Sequence, residues 1–288
     1  MSCGLVDLLC WIGGASMLRI AYGFLFAWAL VAPSWAATFT VTNDADTAGN
    51  TCAASCTLRQ AITAANLTTA PDTISFNVSA AGEVLIQPAT PLPIIVQPLE
   101  INGYSQTGSA PNSALAGSNA SLQVRLHGGA IASTAVAGLS ACATSVSVRG
   151  LAITGFTTTG SAAIRAGGPS CAVATQLFVL GNFIGLRTNG SSADANAIGI
   201  EGNNAVVRVG GAPLADRNVI GQTNQDAILL FNAGASGSVV INNIIGSDRT
   251  GAVARSVGRG VNLGLSVSNV NVGTVDVPNV IANASSGV

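Results

Sequence analysis

The chain has 288 residues, a net charge of −1 and only 8% charged residues, with no lysine and eleven arginines, against roughly a quarter charged in an ordinary soluble domain. Arginines scattered singly exclude a basic nucleic-acid surface. Apolar residues reach 49% with aromatics at 5% and 34 glycines. That mixture is neither disordered nor bundle-like, and it suits β-branched side chains facing inward with Gly, Asn and Ser at many turns.

The chain opens on a targeting segment. Arg19 precedes an uncharged run of 12 residues, Ile20 to Val31, and Ser34-Trp35-Ala36 gives the small-x-small pattern of a signal peptidase site. Cleavage is expected after Ala36, with Ala37 as the alternative, so residues 1–36 form the signal peptide. Residues 1–16 lack basic charge, which makes Met17 a candidate start. The rival reading is an uncleaved anchor, but a bilayer span needs about 20 residues. No later stretch is long and apolar enough to span a membrane. The mature chain is therefore expected outside the cytoplasm: in the periplasm, at the cell surface or secreted.

Residues 37–71 read as a cap. Asp44-Ala45-Asp46 with Thr47 and Asn50 looks like a calcium loop, yet it lacks the length and closing Glu of an EF-hand. It reads better as a turn, and calcium stays a minor option beside an expectation of no cofactor. Four cysteines remain after the signal: Cys52, Cys56, Cys142 and Cys171. An even count in an exported chain favours disulfides, with three possible pairings. Cys52–Cys56 with Cys142–Cys171 is preferred; zinc is a weak rival with one histidine in the chain.

Thr57-Leu58-Arg59-Gln60 fits a capping box, with Gln three residues after the hydroxyl. Leu58, Ala61, Ile62 and Ala65 then form one apolar helical face. Asn66 can end the helix and Pro71 bars its continuation. The stretch Cys52–Asn66, CAASCTLRQAITAAN, resembles the bacterial CSLREA (CSLREAI) N-terminal motif. Cys56, Leu58, Arg59, Ala61 and Ile62 match it; Thr57 stands where the family has Ser, and Gln60 where it has Glu. Flanking TFTVTNDADTAGNTC and PDTISFNV resemble the family too. The resemblance covers about forty residues and implies export and a following pectin-lyase-like parallel β-helix more than any chemistry.

From residue 72 to 288 short strand-like runs end at Gly, Pro or Asn. VLGNFIG at 179–185 recurs as VINNIIG at 240–246, and RNVIG at 217–221 recurs as PNVIA at 278–282, both offset by 61 residues. An Asn-x-Ile signature falls at Asn182, Asn218, Asn243 and Asn279. A constant offset means stacked units. The predicted fold is all-β: a right-handed parallel β-helix with a short capping helix. Ile184, Ile220, Ile245 and Ile281 would stack inside, in coils expected to take about 20–25 residues, roughly ten of them. The Asn row could bind sugars, but stacked Asn residues hydrogen-bonding the backbone at coil corners explain it better. The helix would cover the open end of the first coil, which otherwise invites edge association. The other end stops inside a repeat, which suggests a fragment of a larger surface protein.

Catalytic machinery for polysaccharides is not legible. The acids are scattered, with no adjacent pair of the kind glycosidases use. Residues one coil apart become neighbours, so Asp194, Asp216 and Asp248 are the candidates for a hidden acidic site. His127, in RLHGG, reads as a turn residue before two glycines. The expected function is an exported, non-catalytic β-helix scaffold with a binding or adhesive role toward a cell-surface glycan or polysaccharide. The alternative is a polysaccharide lyase or glycoside hydrolase.

Overall fold

The computed structural model describes residues 35–288 apart from Ala81 and Ser170. The expected signal segment 1–36 lies outside the described residues except for Trp35 and Ala36. From Thr38 the chain winds through three parallel sheets. The first has eight strands: Thr38–Val41, Asp72–Phe76, Leu99–Asn102, Val146–Arg149, Gln176–Leu180, Val206–Val209, Val239–Val240 and Asn271–Val272. The second has seven: Val84–Ile86, Val124–His127, Leu151–Thr154, Phe183–Ile184, Val219–Ile220, Ile244–Ile245 and Val280–Ile281. The third has six: Ala137–Ala141, Ala162–Gly167, Ile198–Asn203, Thr223–Phe231, Val257–Leu263 and Ala284–Ser286. The chain visits the sheets in turn, so the fold is a parallel β-helix with one short α-helix near its start.

Alternation along each strand sends every second residue inward, and parallel pairing stacks like on like, with a register shift between Thr223 and Asp226 in the third sheet. Ile74, Ile101, Val148, Val179, Val209, Val240 and Val272 form one such column in the first sheet. Ile86, Leu126, Ile153, Ile184, Ile220, Ile245 and Ile281 form another in the second. Leu139, Ile164, Ile200, Ile228 and Val261 line the third. β-branched side chains fit this pleated stacking well. Together the columns make one continuous core.

The coils are fewer and longer than the repeat suggested. Seven first-sheet strands follow the helix, beginning at Asp72, Leu99, Val146, Gln176, Val206, Val239 and Asn271. The reason is that loops are inserted on alternate turns. One turn carries its loop between the second and third sheets (185–197, then 246–256); the next carries it between the first and second (210–218, then 273–279). The stretch from Asn218 to Asn243 crosses no such loop and takes 25 residues. The stretches Asn182–Asn218 and Asn243–Asn279 cross both kinds and take 36. The 61-residue sequence period is therefore a pair of turns. Gly185 and Gly246 close second-sheet strands at φ +74° and +82°, in the left-handed region. A Cβ there would overlap the carbonyl oxygens of Gly221 and Ala282 on the turn above.

The helix Leu58–Ala65 is capped by Thr57 with the full capping box: the Gln60 amide donates to Thr57 Oγ1 at 3.3 Å and the Thr57 amide to Gln60 Oε1 at 3.0 Å. Leu58, Ala61, Ile62 and Ala65 are buried and continuous with the core at its first turn. Arg59 fastens the outside. Its Nε and Nη2 hold both oxygens of Asp46 at 2.7 and 3.0 Å, and its Nη1 and Nη2 donate to the carbonyls of Pro91 and Thr90 at 2.9 and 2.8 Å. Asp46 is thereby the partner of the cap's arginine, and its Oδ2 also accepts from the Ala89 amide. Disulfides join Cys52 to Cys56, just ahead of the N-cap, and Cys142 to Cys171 across neighbouring turns.

Candidate functional site

The outer face of the third sheet carries the clearest candidate site. In register along it stand Ser140, Arg165, Glu201, Leu229 and Asn262, one from each successive turn. The inward neighbours Ile164, Ile200 and Ile228 fix which way these residues face. Arg165 Nε donates to Glu201 Oε2 at 2.9 Å, while its Nη1 and Nη2 hold the carbonyls of Ala135 and Gly160 at 3.0 and 2.6 Å. Further along, Arg259 grips Asp226 with two bonds of 2.5 and 2.9 Å, and that carboxylate raises the arginine's pKa. Half-buried Phe231 lies in register with Asn203.

Two open hollows occupy this face and share the strand Ile198–Asn203. One, of about 400 Å³, is lined by Ser140, Arg165, Glu201, Asn203 and the Cys142–Cys171 bridge. The other, of about 470 Å³, is lined by Asn224, Gln225, Asp226, Leu229, Arg259 and Ser285.

The three acids singled out in the sequence fall in separate networks. Asp194, on the loop 185–197, folds back onto the second sheet. Arg125 Nη1 donates to its Oδ2 at 2.7 Å, with His127 Nδ1 at 3.5 Å and Arg187 Nε at 3.8 Å. Arg125 Nε donates to Glu83 at 2.7 Å, and Thr188 also bonds that carboxylate. His127 is thus a member of an ionic cluster, beyond the turn role its sequence suggested. Its ring, at 3.1 Å from Thr154 Oγ1, fills space above Gly129 and Gly155. Burial lowers the His127 pKa; the charges of Arg125 and Arg187 add to this and Asp194 opposes it. Glu83 is pushed up by burial, but bonds from Thr188 and Arg125 outweigh this and leave it lowered. The cluster holds two carboxylates on one guanidinium beside an imidazole whose proton is easily lost.

Asp216 lies instead beside Arg149, at 3.3 Å, and its pKa is raised by burial against the pull of that charge. Burial also pushes the Tyr104 hydroxyl, which donates to the Gly181 carbonyl at 2.6 Å, up to about 12. Asp248 closes a turn: Thr250 Oγ1 and the amides of Thr250 and Val253 donate to it, as does Ser191 from the loop below. Burial raises its pKa, but these bonds win and lower it. Among the described residues no group of three or more His, Cys, Asp or Glu is placed to hold a metal.

The segment 106–122, to which sequence reasoning gave no role, is a strap over the second sheet. Ala120 and Leu122 cover the outward row Ala152, Phe183, Val219 and Ile244, which makes a second small core outside the solenoid. Arg217 holds it down, with Nη1 donating to the carbonyls of Ala114, Leu115 and Gly117 at 3.1, 2.9 and 2.6 Å. The signal was its length, since loops beyond about 12–15 residues in compact domains usually have a task.

The row Asn182, Asn218, Asn243 and Asn279 sits at the corner between the first and second sheets, its first three members buried. Asn218 Oδ1 accepts from the Asn182 amide at 2.9 Å, and Asn279 Oδ1 from the Asn243 amide at 3.0 Å. Their Nδ2 groups donate to backbone carbonyls of the turn before, from Val148 to Val240. These amides are spent on the backbone and turned away from solvent.

No family model, no curated protein and no solved structure matches this chain. Among the described residues no helix is long and apolar enough to cross a membrane.

Proposed function

We propose that this chain is an exported β-helix scaffold of the CSLREA-motif type, with a binding rather than catalytic role, and that it takes a glycan on the outer face of its third sheet. The observation that carries this reading is the row Ser140, Arg165, Glu201, Leu229 and Asn262, set beside two open hollows whose lining combines apolar surface with polar side chains. Two disulfides support an oxidising compartment. Rigid strands hold the groups in place, so little ordering is needed on binding. The two acids on this face are each gripped by an arginine, Glu201 by Arg165 and Asp226 by Arg259, so neither stands free to meet a substrate's glycosidic oxygen.

A second reading is a polysaccharide lyase or hydrolase centred on Glu83, Arg125, His127 and Asp194. It is favoured by the two carboxylates and the imidazole meeting at one guanidinium. The test is to incubate the protein from Ala37 onward with immobilised and soluble glycans, with and without calcium. Retention without new reducing or unsaturated ends is expected. Turnover that disappears in Asp194→Asn would establish the enzyme reading instead, and neither retention nor turnover would overturn both.

A further inference from the structure

We infer that the ligand of the third-sheet face is an uncharged polysaccharide, laid along the solenoid axis across successive turns; this rests on the binding role proposed above. The charge on the face is cancelled in place. Arg165 is paired with Glu201, and Arg259 with Asp226. A uronate or sulfated chain needs a cation able to turn toward it. Here the guanidinium of Arg165 is also anchored to the carbonyls of Ala135 and Gly160, so swinging it out would break three hydrogen bonds at once. Freeing Arg259 would strand Asp226, which is buried, at the high cost of an unpaired buried charge.

What the hollows offer beyond these pairs is neutral. Asn203, Asn224, Gln225, Ser140 and Ser285 line them with amides and hydroxyls that can both donate and accept. Sugar hydroxyls do the same. Leu229, in the second hollow, and half-buried Phe231 supply apolar surface for the C–H faces of a pyranose ring. Direction follows from register. The row advances one residue per turn, about 4.8 Å apart, a step on the scale of a single sugar ring. A linear chain lying across the strands would meet this face again at each turn. A chain lying along one strand would run off its end into the loops.

The experiment is affinity electrophoresis of the protein through gels containing neutral polymers (a mixed-linkage glucan, a mannan, an unsubstituted xylan) or acidic ones (polygalacturonate, alginate). It is run at low salt and at about 1 M NaCl, where the Debye length falls to about 3 Å. Retardation by at least one neutral polymer, unchanged by salt, is expected. Gln225→Ala should weaken it about tenfold, as for loss of one good hydrogen-bonding group. Glu201→Gln, checked for native strand signal by circular dichroism, frees the Arg165 charge and should add salt-sensitive retardation by acidic polymers. Wild-type retardation confined to acidic polymers and abolished by salt would overturn the inference and leave the binding role standing. Retardation by no polymer would remove the binding role itself.

Discussion

At Asn182 one side chain serves three turns. Its Oδ1 accepts from the Leu151 amide, and its Nδ2 donates to Val148 below, to Leu180 in its own turn and to Asn218 above. Asn182→Ala would leave several buried backbone groups without partners, each costing about 1–3 kcal/mol. We expect a loss of about 3–4 kcal/mol, read as a lower urea midpoint at unchanged slope. Asn279→Ala loses the bond to Val240 and the acceptor of the Asn243 backbone and side-chain amides, but at a partly exposed position that water can reach, and should cost less, about 1–2 kcal/mol. Equal losses at the two sites would show that burial does not set the value of the ladder. The ladder was legible in the sequence because its Asn-x-Ile signature repeats. The third-sheet pairs were not. Arg165 and Glu201 are 36 residues apart, and nothing in either segment alone says that they become neighbours. Only the coil register aligns them, and alternating loop insertions hide that register from simple counting.

Among the elements, the capping helix was the most readable, because capping box and apolar face are local patterns. Its fastening was less so. Asp46 and Arg59 are 13 residues apart, and the Asp-rich stretch resembles a turn whether or not an arginine waits beside it. Asp46 is pushed up by burial, but the bonds from Arg59 and the Ala89 amide, with the Arg59 charge, outweigh this and lower its pKa. A carboxylate lowered in the folded state adds stability that is full above its ordinary value of 3.8 and fades as pH falls through the lower folded value. Arg59→Met should therefore cost about 2–3 kcal/mol near neutrality. The gap to wild type should narrow as pH drops below the ordinary carboxylate range, leaving the share due to the Pro91 and Thr90 carbonyls, seen in thermal midpoints across a pH series. A gap that stays constant with pH would mean that Arg59 acts only through the carbonyls of Thr90 and Pro91.

At the scale of the molecule, the strap ties an early turn to later ones. Asn112 Nδ2 donates to the Leu214 carbonyl at 3.0 Å, and the Ser118 amide to the Arg249 carbonyl at 2.7 Å. Arg217→Ala should free residues 106–121, raising amide exchange and protease cleavage there well ahead of any change in the solenoid. Arg217→Lys should restore little, since one ammonium cannot hold the strap carbonyls that meet Nη1 and at the same time the Asn242 Oδ1 that accepts from Nε and Nη2 at 3.0 and 2.8 Å. Exchange confined to the site of substitution would instead make the strap self-supporting through Ala120 and Leu122.

The strap also acts as a gauge. A solenoid of stacked turns has no intrinsic length, and duplicating its 61-residue, two-turn unit keeps every loop on its own side. Duplicating one turn alone would reverse the alternation of everything that follows. Yet an addition of either kind between Ser121 and Arg217 would carry Arg217 and Arg249 out of reach of the carbonyls and amides they now meet. Growth by duplication is therefore closed between Ser121 and Arg249 and open beyond Thr250, where these strap bonds fix no distance.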